Sequence, residues 1–249
     1  MIPKVIIFDL DGTLAESKRP LAVDMAEILS SLLNRTLIAI ASGGAFNQFI
    51  QQVVERLPAD ANLEHLYLLP TSGAALFEFK NDTWEKVYGE RLPEDEALRI
   101  QEVIRNVVEQ TGIVDLATPS YGDRIENRGS QVSFSALGQL APIDEKKAWD
   151  PDKSKRHLLQ TALQAVLPEY LVAMGGMTTI DITQKNVNKA FGIERLSKHL
   201  SIAISDMLYV GDELEEGGND SVVIPTGIPT HPVTDPDETK IWLRSLLAS

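Results

Sequence analysis

The chain has 249 residues, of which 43% are hydrophobic and 24% charged, so it can bury a full apolar core as one large domain or as a core with an insert. Its 36 acidic side chains outnumber the 23 basic ones, for a formal net charge of -13; nucleic acid and anionic membrane are disfavoured as partners, because both demand a basic footprint. Cysteine is absent, which excludes disulfides, thiolate nucleophiles and thiolate metal sites together. No apolar run approaches a membrane span and no leader-like pattern precedes the first strand, so a soluble cytoplasmic protein is the expectation.

The first predicted element is the apolar run Val5-Ile6-Ile7-Phe8, which reads as a strand buried on both faces and ends in Asp9-Leu10-Asp11-Gly12-Thr13. Leu21, Met25, Ile28, Leu29, Leu32 and Leu33 recur at helical spacing, and Leu37 to Ala41 form a second short apolar run that stops at Ser42. A further helix presents Phe46, Phe49, Ile50, Val53, Val54 and Leu57 on one face and leads to a third run, Leu66 to Leu69. Strand alternating with helix in this way predicts a parallel sheet.

The rhythm changes at Asn81-Asp82, a turn signal. Ile100, Val103, Ile104, Val107 and Val108 then stripe one helix, Val132, Phe134 and Ala136 alternate, a second helix runs from about Lys153 to Leu167, and strand-like runs follow at Leu171 to Met174 and Thr178 to Ile182. These strands read as antiparallel and one-sided, so residues 82–185 are expected to form an inserted α+β cap on a core made of 1–81 and 186–249. After Asn188 the first rhythm returns in a helix through Phe191, Leu196 and Leu200. It continues in the strand Met207 to Val210 followed by Gly211-Asp212, a last apolar run at Val222 to Ile224, and a helix from Glu238 to Leu247. The expected fold class is α/β, a Rossmann-like doubly wound parallel-sheet core with an inserted α+β cap.

Two acids at the end of a buried strand are costly unless a cation and a reacting phosphate share the site. In parallel α/β sheets the ligand crevice lies outside the carboxyl ends of the strands, where Asp9, Asp11, Ser42 and Asp212 all fall. Asp9 is the candidate nucleophile for an aspartyl-phosphate, and Asp11 the candidate general acid and base. Ser42 and Lys189 supply the hydroxyl and ammonium that phosphoryl transfer uses for positioning and charge, and Mg²⁺ is the cation that suits hard oxygen ligands. Singly, each piece has a plainer reading: Asp-x-Asp-Gly as a turn, Ser42-Gly43-Gly44 as a strand-to-helix corner, Lys189 as a solvated helix start, Arg128 as a surface charge. It is their coincidence in one order that favours chemistry. Glu213, Glu215 and Glu216 read as a solvated loop face, and His65, His157, His199 and His231 have no metal-ligand spacing.

The order and spacing of these residues resemble the haloacid dehalogenase-like phosphohydrolase superfamily, whose first motif, an apolar strand followed by DxDGT, stands here as Asp9 to Thr13. The resemblance covers the whole chain and implies Asp9 as nucleophile, Asp11 as acid and base, Ser42 with Gly43 after the second strand, Lys189 opening a later helix, and Mg²⁺ held by Asp9, Asp11 and Asp212. A cap placed between the second and third motifs is similar to the large α+β type. Within that type, Gly211 to Asp220 is similar to the metal loop of eukaryotic-type phosphomannomutases, with Asn219 and Asp220 as supports of the metal. Gly175 to Ile182 resembles their sugar-holding strand, with Thr179 and Asp181 at binding positions, and Arg128 to Gln139 resembles their cap segment, with Arg128 at a phosphate position.

By the same resemblance Tyr121 and Gln139 stand where that branch has arginines, and Lys18 or Arg19 must serve for the arginine after the first motif. A mutase clamps one phosphate while the other reacts, a task suited to bidentate arginine. The leading expectation is therefore a Mg²⁺-dependent phosphatase of a small phosphorylated metabolite, such as a sugar phosphate. The alternatives are a phosphomannomutase-like hexose-phosphate mutase and a non-catalytic phosphosugar-binding module. The small-molecule substrate is the expected partner, with the chain a monomer or a cap-mediated homodimer.

Overall fold

In the computed structural model, which describes residues 2–248, the chain divides into two compact units, Met1–Gly89 with Asn188–Ser249, and Glu90–Val187. In chain order the first unit begins with β1 (Val5–Asp9), α1 (Val23–Leu33), β2 (Leu37–Ala41), α2 (Phe46–Gln52), β3 (Leu66–Leu69), the single turn α3 (Pro70–Gly73), β4 (Ala75–Lys80) and β5 (Thr83–Gly89). The second unit holds α4 (Glu94–Thr111), β6 (Ile125–Asn127), β7 (Gln131–Ser135), α5 (Ile143–Trp149), α6 (Ser154–Val166), β8 (Tyr170–Met174) and β9 (Thr179–Gln184). The first unit resumes with α7 (Lys189–Leu200), β10 (Met207–Gly211), β11 (Thr230–Pro232) and α8 (Pro236–Ala248).

The core sheet has the order β11-β10-β1-β2-β3-β4-β5. Its first five strands are parallel, with Phe8 beside Val210 and Asp9 beside Ala41, so the carboxyl ends of β10, β1 and β2 share one edge. Val5 to Phe8 are all 0% exposed, the outcome their unbroken apolar run demands when helices cover both faces. One face packs Ile6, Phe8, Ile38 and Ile40 against Met25, Leu29, Leu32 and Phe49, and the other packs Val5, Ile7 and Ala39 against Ile193, Leu196 and Tyr209.

The expected cap boundary at Asn81-Asp82 is displaced. Those two residues, at φ +49° and +59°, form a two-residue hairpin that joins β4 to β5, and both strands extend the core sheet, β4 antiparallel to β3 and β5 antiparallel to β4. Positive φ at both central positions matches the twist of the flanking strands, so the turn continues a sheet rather than ending one. The second unit accordingly starts at Glu90, eight residues past the expected 82, and ends at Val187, two past the expected 185. The last apolar run, Val222 to Ile224, lies in a 3-10 turn, Ser221–Thr226, and buries Val223 in the core, while the edge strand comes later at β11. The predicted helix through Leu57 stops at Gln52 and gives way to another 3-10 turn, Val54–Arg56.

The second unit is a four-stranded antiparallel sheet, β6-β7-β9-β8. One face carries Val132, Phe134, Ile180 and Ile182 into a core with Ile100, Ile104, Val108, Leu159 and Leu163 of α4 and α6. The opposite positions of β7 and β9 are polar yet buried, so the expectation of one-sided strands fails for both. Gln131 pairs with Thr183, Ser133 with Asp181 and Ser135 with Thr179, and side-chain hydrogen bonds among these groups are what make the burial tolerable.

Candidate active site

The three acids of the core come together because their strands are neighbours. Asp9 ends β1, Asp212 follows β10, and the loop after β10 returns Asn219 and Asp220 to the same edge. Carboxylate oxygens of Asp9, Asp212 and Asp220 lie within 4.8 Å of one another. Into them reaches Lys189, the first residue of α7, whose helix is capped by the Asn188 side chain accepting the Phe191 N–H at 3.1 Å. Its ammonium donates to Asp9 Oδ1 at 2.5 Å, Asn219 Oδ1 at 2.7 Å and Asp220 Oδ1 at 2.6 Å. All three protons of the ammonium are thereby engaged.

Asp220 Oδ1 also accepts from the hydroxyl of Tyr209 at 2.5 Å, and its Oδ2 accepts the Glu213 N–H at 3.2 Å. Asp212 Oδ1 accepts from Thr13 Oγ1 at 3.0 Å. Gly12, at φ +96°, passes so close that a Cβ there would overlap the Asp212 carboxylate; glycine is required both by the dihedral and by the approach. Asp11 lies one turn away with its Oδ1 accepting the Lys18 N–H at 2.5 Å, and its carboxylate is not one of the three clustered ones. Ser42, 3% exposed, sits one residue past Ala41, the β2 partner of Asp9, and its Oγ accepts the Gly44 N–H at 3.3 Å.

Burial pushes the Asp9 carboxyl well above the usual carboxylate range; the Lys189 ammonium opposes the shift, while Asp220 and Asp212 add to it. Burial and then the charge of Asp220 raise Asp212 to about 6, against a hydrogen bond from Thr13 that favours its ionised form. Lys189 stays firmly protonated, since the charges of Asp220 and Asp9 outweigh its own desolvation. One cation among three acids leaves an uncompensated negative site. Moreover, Asp9 Oδ2 is buried without a hydrogen-bond partner in the chain, which leaves it able to accept an electropositive group from outside. Hard carboxylate oxygens, excess negative charge and an unpartnered oxygen are what a divalent cation fits.

The second unit has its own polar cluster. The side chain of Arg128 is only 3% exposed and donates through Nε to Glu126 Oε2 at 2.8 Å, with Nη1 4.0 Å from Asp181 Oδ1 and Nη2 donating to Gln139 Oε1 at 3.3 Å. It is therefore no ordinary surface charge. Gln131 Nε2 donates to Ser133 Oγ at 2.8 Å, and Ser133 Oγ donates to Asp181 Oδ1 at 2.6 Å, a relay that orients Asp181. A Cβ on Gly175 would come within 2.6 Å of Asp181 Oδ2, so this glycine leaves room for the acid. Thr179 lies buried beside Ser135 in the register. Tyr121 donates to Glu145 Oε1 at 2.6 Å.

Of the residues singled out in the sequence, Asp9, Lys189, Asp212, Asn219 and Asp220 form one cluster, and Arg128 and Asp181 fall in another. Lys18 contacts Asp11 through its backbone, at φ +56°, whereas Arg19 is exposed and its N–H donates to the Glu16 carbonyl. Gly43 is half-buried beside Ser42. Glu213 departs from the solvated loop face assigned to it: half-buried, it accepts from the N–H and Nδ2 of Asn219 at 3.2 and 3.1 Å, while Glu215 and Glu216 are exposed as expected. Tyr209 belongs to no motif that assigns it a role, although a hydroxyl within an otherwise apolar strand is itself a signal that a buried partner must exist. Thr13, beside Asp212, and the Gln131-Ser133 relay emerge only from the fold.

A doubly wound sheet whose carboxyl edge gathers Asp9, Asp212 and Asp220 around a buried lysine defines a haloacid dehalogenase-like core built for phosphoryl groups. The sequence model of the family described as Eukaryotic phosphomannomutase matches residues 25–249, and the chain belongs to that family. The phosphomannomutase of Encephalitozoon cuniculi (strain GB-M1) is 26% identical over 228 residues, covering 87% of this chain and 82% of that protein. The phosphomannomutase of Saccharomyces cerevisiae is 21% identical over 248 residues, covering 97% and 93%. Among solved structures, IMP-bound, N-terminally truncated IMP-nucleotidase of Plasmodium falciparum superposes with a TM-score of 0.70 at 18% identity, over 99% of this chain and 68% of that one. A Streptococcus mutans UA159 protein gives 0.64 at 16% identity over 100% of both chains. These structural likenesses concern the fold. The chain is thus a haloacid dehalogenase-type phosphosugar enzyme of the phosphomannomutase family.

Proposed function

We propose that this chain is a hexose-phosphate mutase of the phosphomannomutase type, working through an aspartyl-phosphate at Asp9. The observation that carries phosphoryl transfer is the Asp9 carboxylate, buried, gripped on Oδ1 by Lys189 and unpartnered on Oδ2. What favours a mutase over the phosphatase expected from the sequence is the family match across residues 25–249 and the names of the relatives. In the first half-reaction Asp9 attacks one phosphorus of a hexose 1,6-bisphosphate, the bond from that phosphorus to the sugar oxygen breaks, and Asp11 gives that oxygen its proton, leaving a hexose monophosphate. In the second, Asp11 removes the proton from the free 1- or 6-hydroxyl of a hexose monophosphate, which takes the phosphoryl group back from Asp9 and restores the bisphosphate. Lys189 and Ser42 offset charge on the transferring phosphoryl oxygens. Asp9 and Asp212, with Asp11 as the further ligand the resemblance implies, would hold a magnesium ion, which would supply additional positive charge to those oxygens. Arg128, Thr179 and Asp181 are the residues proposed to hold the sugar phosphate in the second unit.

A phosphatase is the second reading: by the resemblance Tyr121 and Gln139 stand where the related enzymes have arginines, and the observation that favours it is that their side chains bond to Glu145 and Arg128. The discriminating experiment supplies a hexose 1-phosphate with Mg²⁺, with and without the hexose 1,6-bisphosphate. A mutase interconverts the 1- and 6-phosphates faster than it frees inorganic phosphate, and the bisphosphate stimulates it. Phosphate release outpacing isomerisation under both conditions would assign the phosphatase.

A further inference from the structure

Lys189 meets the reacting carboxylate, yet its orientation depends on what holds its other two partners. Asp220 and Asn219 are themselves held, and by different residues. The Tyr209 hydroxyl donates to the same Asp220 Oδ1 that Lys189 uses, at 2.5 Å. Tyr209 is 0% exposed in the middle of β10, so its hydroxyl has no solvent to fall back on, and the bond fixes the Asp220 rotamer. On the other flank Glu213 Oε2 accepts both the N–H and the Nδ2 of Asn219. This fixes the amide the right way round: its NH₂ faces a carboxylate and its oxygen faces the Lys189 ammonium at 2.7 Å. The ammonium and the carboxylate favour the same amide orientation from its two sides, and without Glu213 the Asn219 side chain keeps its bond to Lys189 but loses the anchor that holds it in place.

We propose that Tyr209 and Glu213 are positioning residues, a two-sided brace that aims the Lys189 ammonium at Asp9 through Asp220 and through Asn219. Neither touches the reacting atoms. The brace also commits Asp220 to the lysine: Oδ1 takes two donors and Oδ2 takes the Glu213 N–H. The inference rests on the reading in which Lys189 serves phosphoryl transfer at Asp9, and its test separates the two.

The variants are Tyr209→Phe, which keeps the ring volume, Glu213→Ala, and Glu213→Gln, whose amide oxygen still accepts from Asn219. The first readout is steady-state turnover of a hexose phosphate in Mg²⁺. Tyr209→Phe and Glu213→Ala are expected to lower kcat by about tenfold with KM changed less than about twofold, and Glu213→Gln to recover most of the loss, the size expected for a buried hydrogen bond to a charged group. The second readout needs no activity: reductive methylation followed by peptide mass spectrometry, with Lys146, also buried at 4% exposure, as the internal control. Lys189 is expected to be protected in the parent and to react several times faster in Tyr209→Phe and Glu213→Ala, with Lys146 unchanged. Equal Lys189 protection in parent and variants, or Lys146 rising in step with Lys189, overturns the brace. A parent that transfers no phosphoryl group overturns the functional reading, while the methylation result still decides the brace.

Discussion

At the scale of single residues, the site is an electrostatic conflict that a bound cation would resolve. Asp212 titrates near 6 because burial and the neighbouring Asp220 disfavour its charge. Since its folded value lies above the unfolded one, Asp212 adds stability only while protonated, and that contribution is lost as pH rises through about 6. In metal-free protein Asp212→Asn should therefore raise the thermal midpoint by on the order of a few degrees at pH 7.5, with a smaller gain at pH 4.5. The parent should in turn be stabilised by Mg²⁺ at pH 7.5 and the variant much less, both read by differential scanning calorimetry; equal Mg²⁺ effects would remove Asp212 from the cation site. The principal acids were legible because Asp9-Leu10-Asp11 and Asp212 close apolar runs, where an acid needs a reason. Tyr209 and Glu213 were not, because their roles depend on which loop returns beside which strand, a distance the sequence does not carry.

At the scale of elements, the helix and strand periods mark most of the chain, and the errors cluster where turn chemistry has two meanings. Asn81-Asp82 is a turn in either reading, but only the pairing of Phe79 with Trp84 and Lys80 with Thr83 says that it closes a hairpin within the core sheet. Because Asp82 holds φ +59°, Asp82→Gly should stabilise the protein by roughly 0.5 to 1 kcal/mol, as measured by urea unfolding; a loss would contradict the turn geometry. The start of α6 makes a second case. Lys153, at φ +61°, cannot cap it, and Asp150 does so from outside, its Oδ1 accepting the Lys155 N–H at 2.9 Å and its Oδ2 the Arg156 N–H at 3.1 Å and Nε at 2.8 Å. Desolvation raises the Asp150 pKa, but the Arg156 hydrogen bond and these backbone donors outweigh it, and the net shift is downward. A depressed carboxylate stabilises above its unfolded value and loses that contribution as pH falls through the folded one, here below about 4. Asp150→Asn should cost about 3 kcal/mol at pH 7, because it leaves Arg156 buried without a counter-charge, and the gap between variant and parent should close in acid.

At the scale of the molecule, two units each own their apolar clusters: the second unit's core draws only on residues between Leu92 and Ile182. As one uninterrupted segment, Glu90–Val187 should fold alone, giving a dispersed amide spectrum and cooperative unfolding; a collapsed or unfolded fragment would contradict its independence. The broad architecture was legible because strand and helix periods alternate at both ends of the chain and break in the middle. The buried polar face of β7 and β9 was not, since Gln131, Ser133 and Asp181 look solvent-facing until their mutual hydrogen bonds are known. The central claim is that a phosphoryl group passes through Asp9. Its most direct test mixes the protein with a hexose 1,6-bisphosphate and Mg²⁺, quenches in acid and maps the phosphoryl group by peptide mass spectrometry. The account predicts one phosphoryl group on the peptide carrying Asp9, none there in Asp9→Asn, and turnover lowered at least about a thousandfold in that variant; sustained turnover with Asp9 never modified, or at the parent rate in Asp9→Asn, would contradict it.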